Sequence, residues 1–111
     1  SDVALLKIGR HFRLPSGAKL VLGRNAEECE HLERMVRDDD VSLEPVSVSG
    51  PSGLLRGRKD AECDGLLSAK VIAAYCSGDV AVTVELSAGD NKSTTTVSEP
   101  QSRESFADIK V

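Results

Sequence analysis

Arg24 stands between Gly23 and Asn25, where the apolar, β-permissive run Lys19-Leu20-Val21-Leu22 gives way to a helical pattern. Asn25 is a strong N-cap, and Glu28 three residues on makes the capping-box variant in which Asn replaces Ser or Thr. The first amides of such a helix have no internal partner and carry the positive end of its dipole. An arginine beside them makes a natural place for a phosphate. Gly23 serves this turn through a positive φ or through a close contact that a side chain would spoil. A second basic cluster, Arg56, Arg58 and Lys59, follows the loop Gly50-Pro51-Ser52-Gly53. It can supply another phosphate contact provided the fold brings the two loops together; its plainer reading is a solvated turn. Arg10 falls on the apolar side of the first strand-like run, where a snorkelling side chain and a ligand-binding one fit equally well.

Catalytic chemistry finds less support. The sequence has no Walker motif, no GxSxG and no HExxH. His11 and His31 are separated by a hairpin and a helix face, and the carboxylates are mostly helix-face charges, so no acid/base pair stands out. Cys29, Cys63 and Cys76 are odd in number and widely spaced, without CxxC, which argues against zinc. All three occupy small apolar positions of helical patterns and read as buried structural thiols in a reducing, cytoplasmic setting. No catalytic or metal-binding residue is assigned.

The elements that must position these residues are two hairpins and two helices. Residues 3–14 form a strand-like run ended by Pro15, with Ile8, Arg10, Phe12 and Leu14 on one face. Pro15-Ser16-Gly17-Ala18 is turn chemistry, and residues 19–22 return as the second strand. The helix after Asn25 places Cys29, Leu32, Met35 and Val36 on one face. Its other face pairs Glu27 with His31, Glu30 with Arg34 and Glu33 with Arg37 at i,i+4. Asp38, Asp39 and Asp40 oppose the helix dipole and mark the exit from the helix. Residues 41–48 alternate weakly, and Pro45 confines them to an edge or an irregular strand. Leu54 and Leu55 are a short apolar pair. Residues 61–77 turn helical again with a broad, small-residue stripe, and Gly78 suits the C′ position. Val80, Val82, Val84 and Leu86 give the clearest strand, returned by residues 93–97 after a loop over 88–92. In the polar tail, Phe106, Ile109 and Val111 fit a docked helical turn or a final strand. The expected architecture is α+β, a mostly antiparallel sheet with two helices packed on it.

Composition bounds the rest. A chain of 111 residues makes one domain, burying roughly 65% of its unfolded surface. Two Phe, one Tyr and no Trp leave a core of Leu, Val, Ile and Ala. A net charge of −4 argues against nucleic-acid binding by bulk electrostatics, though not against a local basic patch. No apolar run is long enough to span a membrane. The abrupt opening, Ser1-Asp2 running straight into a strand pattern, suggests a piece of a longer chain.

Taken in order, Gly9-Arg10-His11-Phe12, the turn glycine of the hairpin, Gly23-Arg24-Asn25, Gly50-Pro51-Ser52-Gly53-Leu54-Leu55 and Ala73-Ala74-Tyr75-Cys76 resemble the NFACT-type RNA-binding domain. Its small variant is known as the C-terminal module of PP-loop ATPases related to tRNA 2-thiouridine synthases. The resemblance runs from about residue 8 to residue 99. Two departures stand out: the Asp-x-Trp-x-His segment of the larger family has no counterpart near residues 40–48, and its Tyr-Ser is Tyr75-Cys76 here. The resemblance implies a non-catalytic module that binds tRNA or another structured RNA, weakly, in support of a neighbouring thiouridylase-type catalytic domain. ATP would belong to that domain and no cofactor to this one; neither a membrane nor DNA is expected as a partner. The implied RNA-binding residues are Arg10, Gly23, Arg24, Asn25, Arg56, Arg58 and Lys59. Two rivals stay open. One is a protein-interaction or dimerisation module of the same enzyme, which an apolar patch around Leu54, Phe106 and Ile109 would support. The other is a small thiol enzyme or sulfur carrier using Cys63 or Cys76, which requires an exposed thiol of low pKa.

Overall fold

Two leucines in a row, Leu54 and Leu55, are both wholly buried, and that sets the architecture. Neighbouring strand residues point to opposite faces, so both faces of the sheet are covered at this strand. The computed structural model describes residues 8–57, 61–76 and 80–111. Six strands, β1 (Arg10–Arg13), β2 (Lys19–Leu22), β3 (Val41–Pro45), β4 (Gly53–Arg56), β5 (Val82–Ala88) and β6 (Asn91–Val97), form one antiparallel sheet in the order β1-β2-β4-β3-β5-β6. The chain leaves β2, crosses one face as α1 (Ala26–Met35) and skips a position to enter β3. It then folds back as β4 into the gap. From β4 it crosses the other face as α2 (Ala61–Ala74) to β5, and a 3₁₀ helix over Arg103–Ile109 closes the chain.

Each face has its own core. On the α2 side Phe12, Leu14, Leu20, Leu22, Leu43, Leu55, Val82 and Val84 pack against Ala69, Val71, Ile72 and Ala73. On the α1 side a smaller cluster joins Val21 and Leu54 to Leu32, with Ile8 and Met35 against it. Complete burial of each leucine stabilises the fold by about 1.5–3 kcal/mol, so Leu54 and Leu55 fasten a helix to either side.

Several expectations are corrected. The strand that carries Phe12 begins at Arg10, because Gly9 has φ +76° and breaks the alternation there; residues 3–7 of the expected run lie outside the described residues. Ile8 therefore packs on the α1 side and not with Phe12 and Leu14. Residues 41–45 are an interior strand, not an edge. Pro45 is tolerated because it is the last residue of β3 and pairs only with Val84 of β5, while β4 has already ended its pairing at Leu43. The fifth strand begins at Val82, leaving Val80 54% exposed. Its hairpin with β6 turns at Gly89, whose φ of +61° is costly for residues with a side chain. Of the tail, the 3₁₀ helix buries Phe106, and Lys110 makes a single antiparallel bridge to Phe12. The expected C′ glycine, Gly78, lies outside the described residues.

Candidate nucleic-acid interface

The start of β1, the end of β2, the loop before β4, the end of α2 and the start of the 3₁₀ helix all meet at one end of the sheet. There Arg10, Gly23, Gly50, Pro51, Ser52, Tyr75 and Arg103 line a cleft of about 540 Å³, with Arg24 and Asn25 from the entry to α1 and Ala26, Cys29, Glu30 and Glu33 from along it. Four of the residues named from sequence, Arg10, Gly23, Arg24 and Asn25, are brought together here.

Tyr75 organises the positive side of the cleft. The guanidinium carbon of Arg10 lies 5.0 Å from its ring centroid and that of Arg103 4.5 Å, both within cation–π range. Phe12 meets the same ring edge-on at 6.0 Å, which fixes it in place. Among the described residues neither Arg10 nor Arg103 is in an ion pair. Two guanidinium groups gathered at one ring make this part of the cleft locally positive.

Gly23 is explained by contact, not by a positive φ. A Cβ there would lie 2.6 Å from Cys29 Sγ and 2.8 Å from the Cys29 amide nitrogen. The bare backbone lets the Gly23 amide donate to the Ser52 carbonyl at 3.0 Å, while the Ser52 amide donates to Cys29 Sγ at 3.4 Å. These bonds tie the loop over residues 50–52 to the entry of α1.

Asn25 caps the helix by accepting from the Glu28 amide at 2.9 Å. Glu28 does not complete the expected box. Its carboxylate reaches one residue further back, to the Arg24 amide at 2.8 Å, and grips the Arg24 guanidinium through two bonds of 2.9 and 2.7 Å. The hydrogen-bonded Arg24 side chain, helped by the Arg24 and Gly9 amides, lowers the Glu28 pKa to about 2 against desolvation, which opposes it. Arg24 is thus largely neutralised, although its side chain remains 52% exposed.

Arg56 lies elsewhere. It pairs with Lys19 at the opposite end of β2, three strand steps or roughly 10 Å from the cleft end. Its guanidinium turns to the buried Asp40, with bonds of 2.8–3.2 Å, and donates to the last carbonyl of α1 at Met35 at 3.0 Å. Asp40 in turn accepts from the Arg37 amide at 2.9 Å. So Asp40 is not only the exit from the helix; with Arg56 it closes the helix C-terminus. Arg58 and Lys59 lie outside the described residues. The two basic loops named from sequence are therefore not seen to converge, since the part described at the second sits at the wrong end.

Sequence reasoning missed Arg103. The available signal was Phe106 and Ile109 three residues apart in a polar tail, which docks the segment and brings Arg103 back over Tyr75. The cysteine reading also changes: Cys29 and Cys76 are half-buried and Cys63 is exposed, with none of the three in a disulfide. Cys76 donates to the Ile72 carbonyl at 3.3 Å, and burial raises its pKa, opposite to what a nucleophilic thiol needs. Leu54 and Phe106 are 0% and 6% exposed, so the apolar patch that would favour an interaction module is absent at these residues. No helix among the described residues is long and apolar enough to cross a membrane.

Among the described residues this α+β domain thus carries two arginines outside any ion pair in one loop cleft. The family model described as the NFACT protein RNA-binding domain matches residues 9–108, and the chain belongs to that family. No curated protein matches the sequence. Among solved structures, the C-terminal part of the fibronectin/fibrinogen-binding protein from Streptococcus suis is similar, with a TM-score of 0.73 at 10% identity. The match covers 93% of this chain and 50% of that one, so this chain spans half its length. At that identity the likeness is one of fold.

Proposed function

We propose that this domain is a non-catalytic RNA-binding module that orients tRNA for a neighbouring PP-loop, thiouridylase-type catalytic domain in a cytoplasmic enzyme. The observation that carries the RNA part is the Arg10–Tyr75–Arg103 cluster in the cleft, together with membership of the RNA-binding family. An overall charge of −4 makes non-specific capture of nucleic acid weak, which suits a module that positions a substrate already held elsewhere. The tRNA and the PP-loop partner rest on the order of sequence motifs; ATP would be bound by the partner domain. Fluorescence anisotropy of labelled tRNA and of a DNA duplex of matched length, at two ionic strengths, tests the reading. Salt-sensitive binding of tRNA in preference to the duplex is expected. Equal, weak binding of both would contradict it.

A further inference from the structure

We infer that the cleft takes one unpaired nucleotide of an RNA, its phosphate at Arg10 and Arg103 and its sugar and base toward Glu30 and Glu33; the inference rests on the RNA-binding reading above. The cleft is lined by side chains of both charges. Both guanidinium carbons lie within 5.0 Å of the Tyr75 centroid, so the two cations are gathered about one ring that lines the cleft. α1 contributes Glu30 and Glu33, exposed carboxylates that line the same cleft. Carboxylates repel phosphate and only accept hydrogen bonds. Their fitting partners are donors, which a nucleotide carries on its ribose 2′-hydroxyl and on exocyclic base amines. Glu30 also approaches Arg34 at 3.9 Å, but both side chains are about two-thirds exposed or more, and such a pair is easily exchanged.

Shape selects the conformation of the RNA. Duplex phosphates sit on a convex ridge, whereas this site is a recess of about 540 Å³ between the Gly23-Arg24-Asn25 entry and the loop over residues 50–52. A nucleotide splayed out of an unpaired segment can enter with its edges free for hydrogen bonding. Neither loop has room to retreat: Gly23 is packed on Cys29, and a Cβ at Gly50 would collide with Cys76 Sγ.

The test compares a blunt RNA duplex with the same duplex carrying an unpaired 3′ extension, by anisotropy with the whole chain at low salt. The extended RNA should bind at least about fivefold tighter, the worth of roughly one net hydrogen bond. Arg10→Gln/Arg103→Gln should remove that preference while the thermal midpoint shows a folded protein. Arg103→Gln alone, at an exposed position, should reduce it, and Arg13→Gln at the other end of β1 should keep it. Equal binding of the two RNAs by the native chain, or a preference that survives in the double variant, overturns the nucleotide assignment but leaves RNA binding standing. Binding of neither RNA overturns both.

Discussion

At the scale of single residues, three contacts carry measurable consequences. Gly23→Ala places a methyl 2.6 Å from Cys29 Sγ, and overpacking of this kind costs about 1–3 kcal/mol. Chemical denaturation of that variant should show the loss; unchanged stability would mean the loop and helix entry are not locked together. Arg56→Gln strips the charge partner from Asp40, which is 1% exposed, and removing one member of a buried pair costs about 3–5 kcal/mol. The same change should leave RNA affinity of the folded fraction intact, because Arg56 is structural. Glu28 supplies a pH signature. Its pKa falls from the ordinary 4.5 to about 2 on folding, so its stabilisation is fully present above about pH 4.5 and is lost as pH falls toward 2. In Glu28→Gln, the unfolding free energy should decline less steeply across that window. An identical acid profile in the two proteins would show that the Arg24–Glu28 pair does not hold in solution.

Elements were legible to the extent that their pattern was local. The strand over Lys19–Leu22 and the capped start of the helix at Ala26 fall where the sequence puts them, because Pro15, Gly17 and Asn25 punctuate them; the helix stops at Met35, short of the Val36 and Arg37 that its pattern included. The Val82, Val84, Leu86 alternation was equally plain. Two central strands were not. Gly53–Arg56 holds four residues and no alternation, since helices cover both of its faces and both leucines are buried. Val41–Pro45 read as an edge or an irregular strand because of Pro45, whose missing donor matters only on a side where β4 has already stopped. The half of the site that was legible, Arg10 and Gly23-Arg24-Asn25, sits beside turn signals. The half that was not, Arg103 over Tyr75, depends on a contact spanning the last hairpin and part of the tail. That tail segment is itself testable. Phe106 is 6% exposed under the end of the sheet, and Phe106→Ala should cost about 3 kcal/mol. Because it also loosens Arg103, it should weaken RNA binding under conditions where the protein remains folded. Undiminished affinity would separate the 3₁₀ helix from the site.

Across the whole molecule, charge is sorted by place. Among the described residues Arg10 and Arg103 stand outside any ion pair at the loop end of the sheet, while Arg56 is spent on the far end of α1. On the face that carries α1, beyond the helix, β3 and β5 present Ser42, Glu44, Glu85 and Ser87. Glu44 and Glu85 are direct register partners, an arrangement that repels phosphate and costs some sheet stability. On the proposed reading RNA approaches by the Arg10–Tyr75–Arg103 cleft, away from the Glu44–Glu85 face. Nuclear magnetic resonance titration of the ¹⁵N-labelled chain with an RNA bearing unpaired nucleotides tests this most directly. The account predicts that amide shifts concentrate at Arg10, residues 23–26, residues 50–52, Tyr75 and Arg103, and leave β3, β5 and Arg56 unmoved. Shifts centred on Arg56 or on the Glu44–Glu85 face, with the cleft amides unchanged, would contradict it.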